Sequence, residues 1–263
     1  MIGRILALGL NTFREAVRNR VLYSLLLFAV ALIVSTVALG QLSVHEELRV
    51  TRDLGLGGIS LFGVLIAIFV GVNLVYKELD KKTVFSLVPK PIRRFELILG
   101  KFVGMTVTLA VQIAIMALVL WGVLRLQGAD YEPAVFRAIA LTFLEVVVVT
   151  SIAILFSSFS SPFLSGAFTL GLFIIGRSAP DLRELVAKLE PGPPRSLAAA
   201  SLHLVPDLHL FYVSGSMIDG RYVSVHGDFV AWSYVAVAAL YALGYIVCAL
   251  TLASIFFSRR DFI

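Results

Sequence analysis

The residue with the clearest chemical potential is Glu145, set in Thr142-Phe143-Leu144-Glu145-Val146-Val147. A carboxylate inside a long apolar run is costly unless it faces protein or a cavity, so such a position marks transport or gating by default. The same side chain also suits a structural part, as a protonated carboxyl bonded across helices to Gln112 or Asn73. His203 and His209 stand six apart with no carboxylate or cysteine at ligand spacing, so no metal centre is expected. The chain has no G-x-S-x-G and no H-E-x-x-H, which removes the common hydrolase chemistries. It also lacks G-x-x-x-x-G-K-[ST], and Gly100-Lys101 is not in that setting. The expectation is therefore a non-enzyme, and any ATP-driven work needs another chain.

The elements that would position Glu145 are membrane spans. Hydrophobic residues are 59% of the chain and charged residues 15%, against about 45–50% and 25% in soluble domains. Several runs reach the roughly 20 residues that cross a bilayer. Residues 1–263 read as a single transmembrane domain, with spans expected at 21–40, 57–76, 98–124, 135–159, 163–179 and 230–257. Between the first two lies a polar loop with His45, Glu46, Glu47, Arg49, Arg52 and Asp53, and Gly55–Gly58 opens the second span. Ser157-Ser158-Phe159-Ser160-Ser161-Pro162 breaks the chain between the fourth and fifth, because the residue before proline avoids the helical region. Gly166, Gly171 and Gly176 give the fifth span sites for close helix contact. Cys248 is the sole cysteine, so there is no internal disulfide.

Residues 1–20 are too charged to span. Ile5, Leu6, Leu10, Phe13 and Val17 make an apolar helical stripe opposite a mostly arginine side that includes Arg14, Arg18 and Arg20. Such a helix belongs in the membrane interface, in contact with lipid. The outer region 180–229 is polar. Pro180 and Asp181 suit a first helical turn, and Leu182, Leu185, Val186 and Leu189 give that helix an apolar stripe ended by Pro191-Gly192-Pro193-Pro194. Leu204–Tyr212 is too apolar for a solvated loop and too short to span, so it dips into the membrane or packs on the outer span ends.

Orientation follows from Lys and Arg. With the N-terminus inside, the inner segments carry 13 basic and 5 acidic residues, and the outer ones 9 and 11. Both termini are expected in the cytoplasm. The net charge of +5 belongs to this asymmetry and not to nucleic acid. The inner segment Lys77–Lys101 stands out: Phe85, Leu87, Val88, Ile92 and Phe95 are scattered among its charges. Lipid headgroups need only the charge; a protein partner also needs the apolar residues. Pro89 and Pro91 break the segment into short pieces.

With these residues in view, the chain resembles the permease subunits of ATP-binding-cassette transporters of the type-2 exporter class. It is most similar to the compact permeases of nitrous-oxide-reductase maturation, gliding-motility and sodium- or drug-efflux systems. The likeness runs over nearly the whole chain, from Phe13-Arg14-Glu15-Ala16 to Val205-Pro206-Asp207. It is most specific at Glu78, Thr83, Leu87, Pro89, Arg93-Arg94 and Leu99-Gly100-Lys101. The family often has glycine before the threonine, where this chain has Lys82. The resemblance implies an all-α membrane protein with six spans, an N-terminal amphipathic interfacial helix, a cytoplasmic coupling helix between spans 2 and 3, and a helical outer segment before span 6. It implies docking of an ATPase subunit on residues 77–97, with ATP and Mg held by that partner. It also implies a second permease copy or a related permease, and a prokaryotic inner membrane. The rival expectation is a non-transporting scaffold that recruits a cytoplasmic partner to envelope or motility machinery. An ion-coupled carrier built on Glu145 is the weakest reading, because so little charge lies within the spans.

Overall fold

Apolar runs without internal proline fold as long helices because lipid leaves the backbone no other way to bond itself. The computed structural model describes residues 2–41, 47–81, 94–129, 133–189, 192–212, 216–218, 221–223 and 231–259. Helix α1 (Ile2–Val17) is followed by α2 (Arg20–Gln41), α3 (Glu47–Lys81), α4 (Arg94–Leu126), α5 (Pro133–Ser157) and α6 (Pro162–Arg177). Then come α7 (Ala179–Ala187), α8 (Pro193–Leu204), a 3-10 turn (Leu208–Phe211) and α9 (Trp232–Arg259). A small antiparallel hairpin pairs Ser216–Ile218 with Arg221–Val223. Five of the described helices are long and apolar enough to cross a membrane, and α6 with α7, bent by 64°, makes a sixth if the pair counts as one span. The chain is an all-α multi-pass membrane protein.

Helices α3 and α4 run antiparallel: Gly71 faces Met105, Gly63 faces Ile113 and Gly55 faces Leu120. Helix α5 runs with α3, bringing Val146 to Gly63 and Ala153 to Gly71. Where the three meet, Ile59, Ile66, Met105, Leu109, Met116 and Leu141 are fully buried. Helices α2 and α9 lie outside and bury about a third or less of their apolar stretches.

Several boundaries differ from the expected ones. The loop drawn through Asp53 is helix from Glu47 onward. Arg49 and Asp53 pair one turn apart at 3.9 Å, and the Thr51 hydroxyl donates to the Thr36 carbonyl of α2. Arg52, expected in a polar loop, is buried. The third span starts earlier, at Arg94. The fifth is short: α6 has 16 residues, about 24 Å at 1.5 Å per residue, against a hydrocarbon layer of roughly 30 Å. It stops because Pro180 lacks the N–H that would bond the Gly176 carbonyl. Pro162 opens α6 after Ser161, in keeping with the expected Ser-rich break.

Helix α1 is separated from α2 at Arg18-Asn19, where the Asn19 Oδ1 accepts the Val21 N–H at 3.0 Å and caps the new helix. It lies alongside the first turns of α4 in the same direction. Arg4 pairs with Glu96 at 3.7 Å, Leu8 meets Gly100, and Gly9 and Thr12 meet Gly104. A Cβ on Gly100 would sit 2.5 Å from that of Leu8. This is close approach of backbones through small residues, spaced four apart on α4.

Candidate functional site

Glu145 lies mid-way along α5, fully buried. Two turns of neighbouring helices supply its partners. The Ser60 hydroxyl of α3 donates to Oε2 at 2.7 Å. Arg177, the last residue of α6, donates to Oε1 at 3.0 Å and to the Ser60 oxygen at 2.8 Å. Three helices thus meet in one closed triangle of charge-assisted bonds. The Arg177 guanidinium is covered by Tyr212, whose ring centroid is 3.6 Å away, with Phe173 at 5.7 Å on the same cation. The aromatic cover reduces contact of the cation with water.

The sequence reading offered Gln112 or Asn73 as partners of Glu145, and the structure assigns Ser60 and Arg177 instead. Gln112 is buried on α4 with its Oε1 unbonded; the Asn73 side chain lies outside the described residues. Arg177 lies near the end of the expected fifth span, 163–179. Its signal was present: it is a cation closing an apolar run in a chain whose one intramembrane acid needs a counter-charge.

The outer segment is what holds Tyr212 in place. Leu208 and Phe211 are buried against α5, α6 and α7. Gly176 makes room for them, since a Cβ there would be 2.6 Å from the Pro206 carbonyl oxygen. The Tyr241 hydroxyl of α9 accepts the Asp207 N–H at 2.8 Å, and Tyr234 donates to the Leu210 carbonyl at 2.7 Å. Arg183 of α7 pairs with Asp207 at 2.7 Å. Leu208–Phe211 therefore packs against α5, α6 and α7 and is bonded to α9. Burial pushes the His209 imidazole below its ordinary pKa, outweighing the attraction of Asp207 and Asp181. Of the glycines expected to bring helices together, Gly176 instead receives this loop, Gly166 is in ordinary contact with Ile68, and Gly171 faces open space.

The other expected residues belong to α1, to the start of α2 and to the stretch between α3 and α4. Thr83, Leu87, Pro89 and Arg93 lie outside the described residues. Glu78 is in the last turns of α3 and Arg94 opens α4, so these two helices bracket residues 82–93. On α1, Phe13 is half-buried and Arg14 is exposed, as are Arg18 in the turn after it and Arg20 at the start of α2. An apolar cleft of about 420 Å³ separates α3 from α6, walled by Ile68, Phe69, Val72, Phe163 and Leu170. Among the described residues no group of His, Cys, Asp and Glu is placed to hold a metal.

A family model described as "ABC-2 family transporter protein" matches residues 6–262. The chain belongs to this family. It is a membrane permease of an ATP-binding-cassette transporter, and membership implies association with an ATPase subunit of that class. As the membrane component it is not the ATPase. No curated protein matches the permease closely enough to compare.

Proposed function

We propose that this permease moves its substrate across or out of the cytoplasmic membrane when a separate ATPase, docked on residues 77–97, closes on ATP and Mg. Two permeases, either copies of this chain or a copy and a relative, flank the path. Both termini are cytoplasmic, as the charge asymmetry requires. The observation that carries this reading is the family match over 6–262. The course of the chain supports the docking segment: α3 ends at Lys81 and α4 begins at Arg94, so a push on the intervening residues acts on two core helices together. Glu78, Thr83, Leu87, Pro89, Arg93 and Arg94 are the docking residues in this reading.

Glu145 is the gating residue. Its triangle with Ser60 and Arg177 ties α3, α5 and the bent fifth span, so a motion of α3 relative to α6 must strain or break it. The apolar cleft between those two helices offers cargo a lipid-like wall. Replacing residues 83–94 and co-purifying the ATPase tests the docking part. Loss of binding and of ATPase stimulation is expected; a partner that still binds and is still stimulated refutes it.

A further inference from the structure

Helix α1 is not merely two-sided. At about 100° per residue, its surface divides into three sectors that match its burial. Leu8, Gly9, Thr12 and Ala16 face the rest of the protein, and Gly9, Thr12 and Ala16 are buried. The second sector is apolar and uncovered: Ile2, Leu6 and Leu10 are 73%, 58% and 52% exposed. The third carries Arg4, Arg14 and Asn11, with Glu15 at its edge and Arg18 in the turn that follows, its N–H still bonded to the Arg14 carbonyl. Arg4 is taken by Glu96. Arg14 and Arg18 are exposed, as is Arg20 just beyond the helix break, and no carboxylate pairs with these three among the described residues.

We propose that this arginine sector, with the adjoining Ile2-Leu6-Leu10 sector, is a binding surface for anionic phospholipid. The two sectors are adjacent, so one lipid layer satisfies both: acyl chains cover the aliphatic side chains and headgroup phosphates meet the guanidinium groups. Charge decides the class of lipid. A zwitterionic headgroup carries no net charge to offset the cluster, whereas an anionic one does, and guanidinium groups bind phosphate oxygens in pairs of parallel bonds. An acidic protein surface would answer the arginines but leave no account of the three bare aliphatic side chains beside them. Through the proposed docking of an ATPase near the base of α4, the lipid would also bear on coupling. That consequence rests on the proposed function; the lipid site does not.

The test places a fluorophore on Asn11→Cys, exposed within the arginine sector and about 4.5 Å along the helix from Arg14, in a Cys248→Ser background of the full chain in nanodiscs. Quenching is compared between brominated phosphatidylglycerol and brominated phosphatidylcholine at equal mole fraction. The expected result is preferential quenching by the anionic lipid, about fivefold at low salt, falling towards parity at high salt. The triple variant Arg14→Gln, Arg18→Gln, Arg20→Gln should show parity throughout. Added inorganic phosphate should leave the preference intact. Equal quenching in the parent, a preference that survives the triple variant or high salt, or its abolition by inorganic phosphate overturns the proposal. Because no ATPase is present, failure here leaves the transport reading untouched. A normal lipid preference with no ATPase binding would overturn only the latter.

Discussion

Arg177 is the most informative residue to change. Replacing it with Met keeps the aliphatic stem and removes the cation, leaving Glu145 bonded to Ser60 alone. Removing one member of a buried ion pair typically costs about 3–5 kcal/mol, because the survivor is stranded in a poor solvent. Arg177 keeps 23% of its side-chain exposure, so some water reaches it and the expected cost lies at the low end, about 3 kcal/mol. At 2–4 °C per kcal/mol for a chain of this size, thermal unfolding of the purified permease should shift down by roughly 6–12 °C. The partner change supplies the control. With Glu145→Gln added, no charge remains to be stranded, and the double variant should recover at least about 1 kcal/mol relative to Arg177→Met alone. Ser60→Ala, which removes the bond donated to Glu145 and the one accepted from Arg177, should cost about 0.6–1.7 kcal/mol for each of them. Unfolding monitored by intrinsic fluorescence in one detergent reads all five proteins: the parent, the three single variants with Glu145→Gln among them, and the double. An Arg177→Met protein as stable as the parent, or a double variant whose loss equals the sum of the singles, would falsify the account of the triangle as one coupled unit. For the gating role, Glu145→Gln, compared at equal amounts of assembled protein, should lose ATP-driven transport by tenfold or more; full transport sinks that role.

Three further outcomes are expected. Gly104→Leu should displace α1, since even a Cβ there would lie 2.6 Å from that of Thr12, and tryptic cleavage after Arg18 should quicken; Gly122→Ala, with nothing within 4 Å, should instead gain about 0.5–1 kcal/mol in the same unfolding assay. Tyr241→Phe should cost about 1–2 kcal/mol by stranding the half-buried Asp207 N–H, and hydrogen exchange at 205–212 should rise; unchanged exchange refutes the role of that hydroxyl. The folded protein holds His209 neutral more strongly than the unfolded chain does. Its contribution is therefore complete above pH 6.5 and declines as pH falls towards its lowered pKa, so the stability lost between pH 7 and 5 should shrink in His209→Gln. An equal loss in both proteins counts against it.

The helices and the family resemblance were legible because hydropathy, length and proline position are local properties. The Ser157–Pro162 break is an example. The polar triangle was only half legible. Glu145 stood out, but its partners lie 85 and 32 residues away, and nothing local distinguishes Ser60 from other span serines. The start of α3 was misplaced for a related reason. Polar residues at 47–53 look like loop, yet the Arg49–Asp53 pair and the hydrogen bond from Thr51 to α2 keep them helical. The amphipathic character of α1 was plain from its residues, whereas its seat on α4 depended on two glycines ninety residues away.

That seat has a consequence for how the protein is made. Gly9 leaves the ribosome long before Gly104, and chains grow at about 5–20 residues per second. The first helix therefore waits on the order of 5–20 s before its groove exists. Through that interval its small-residue face has no mate in the chain, and only its apolar and basic sectors can hold it at the bilayer. The last contact to form there, between Gly9 and Gly104, closes α1 against the bundle only after three later helices have begun to enter the membrane. A variant that weakens this contact should thus show its defect first in newly made protein, as slow maturation, before any loss appears in molecules already assembled.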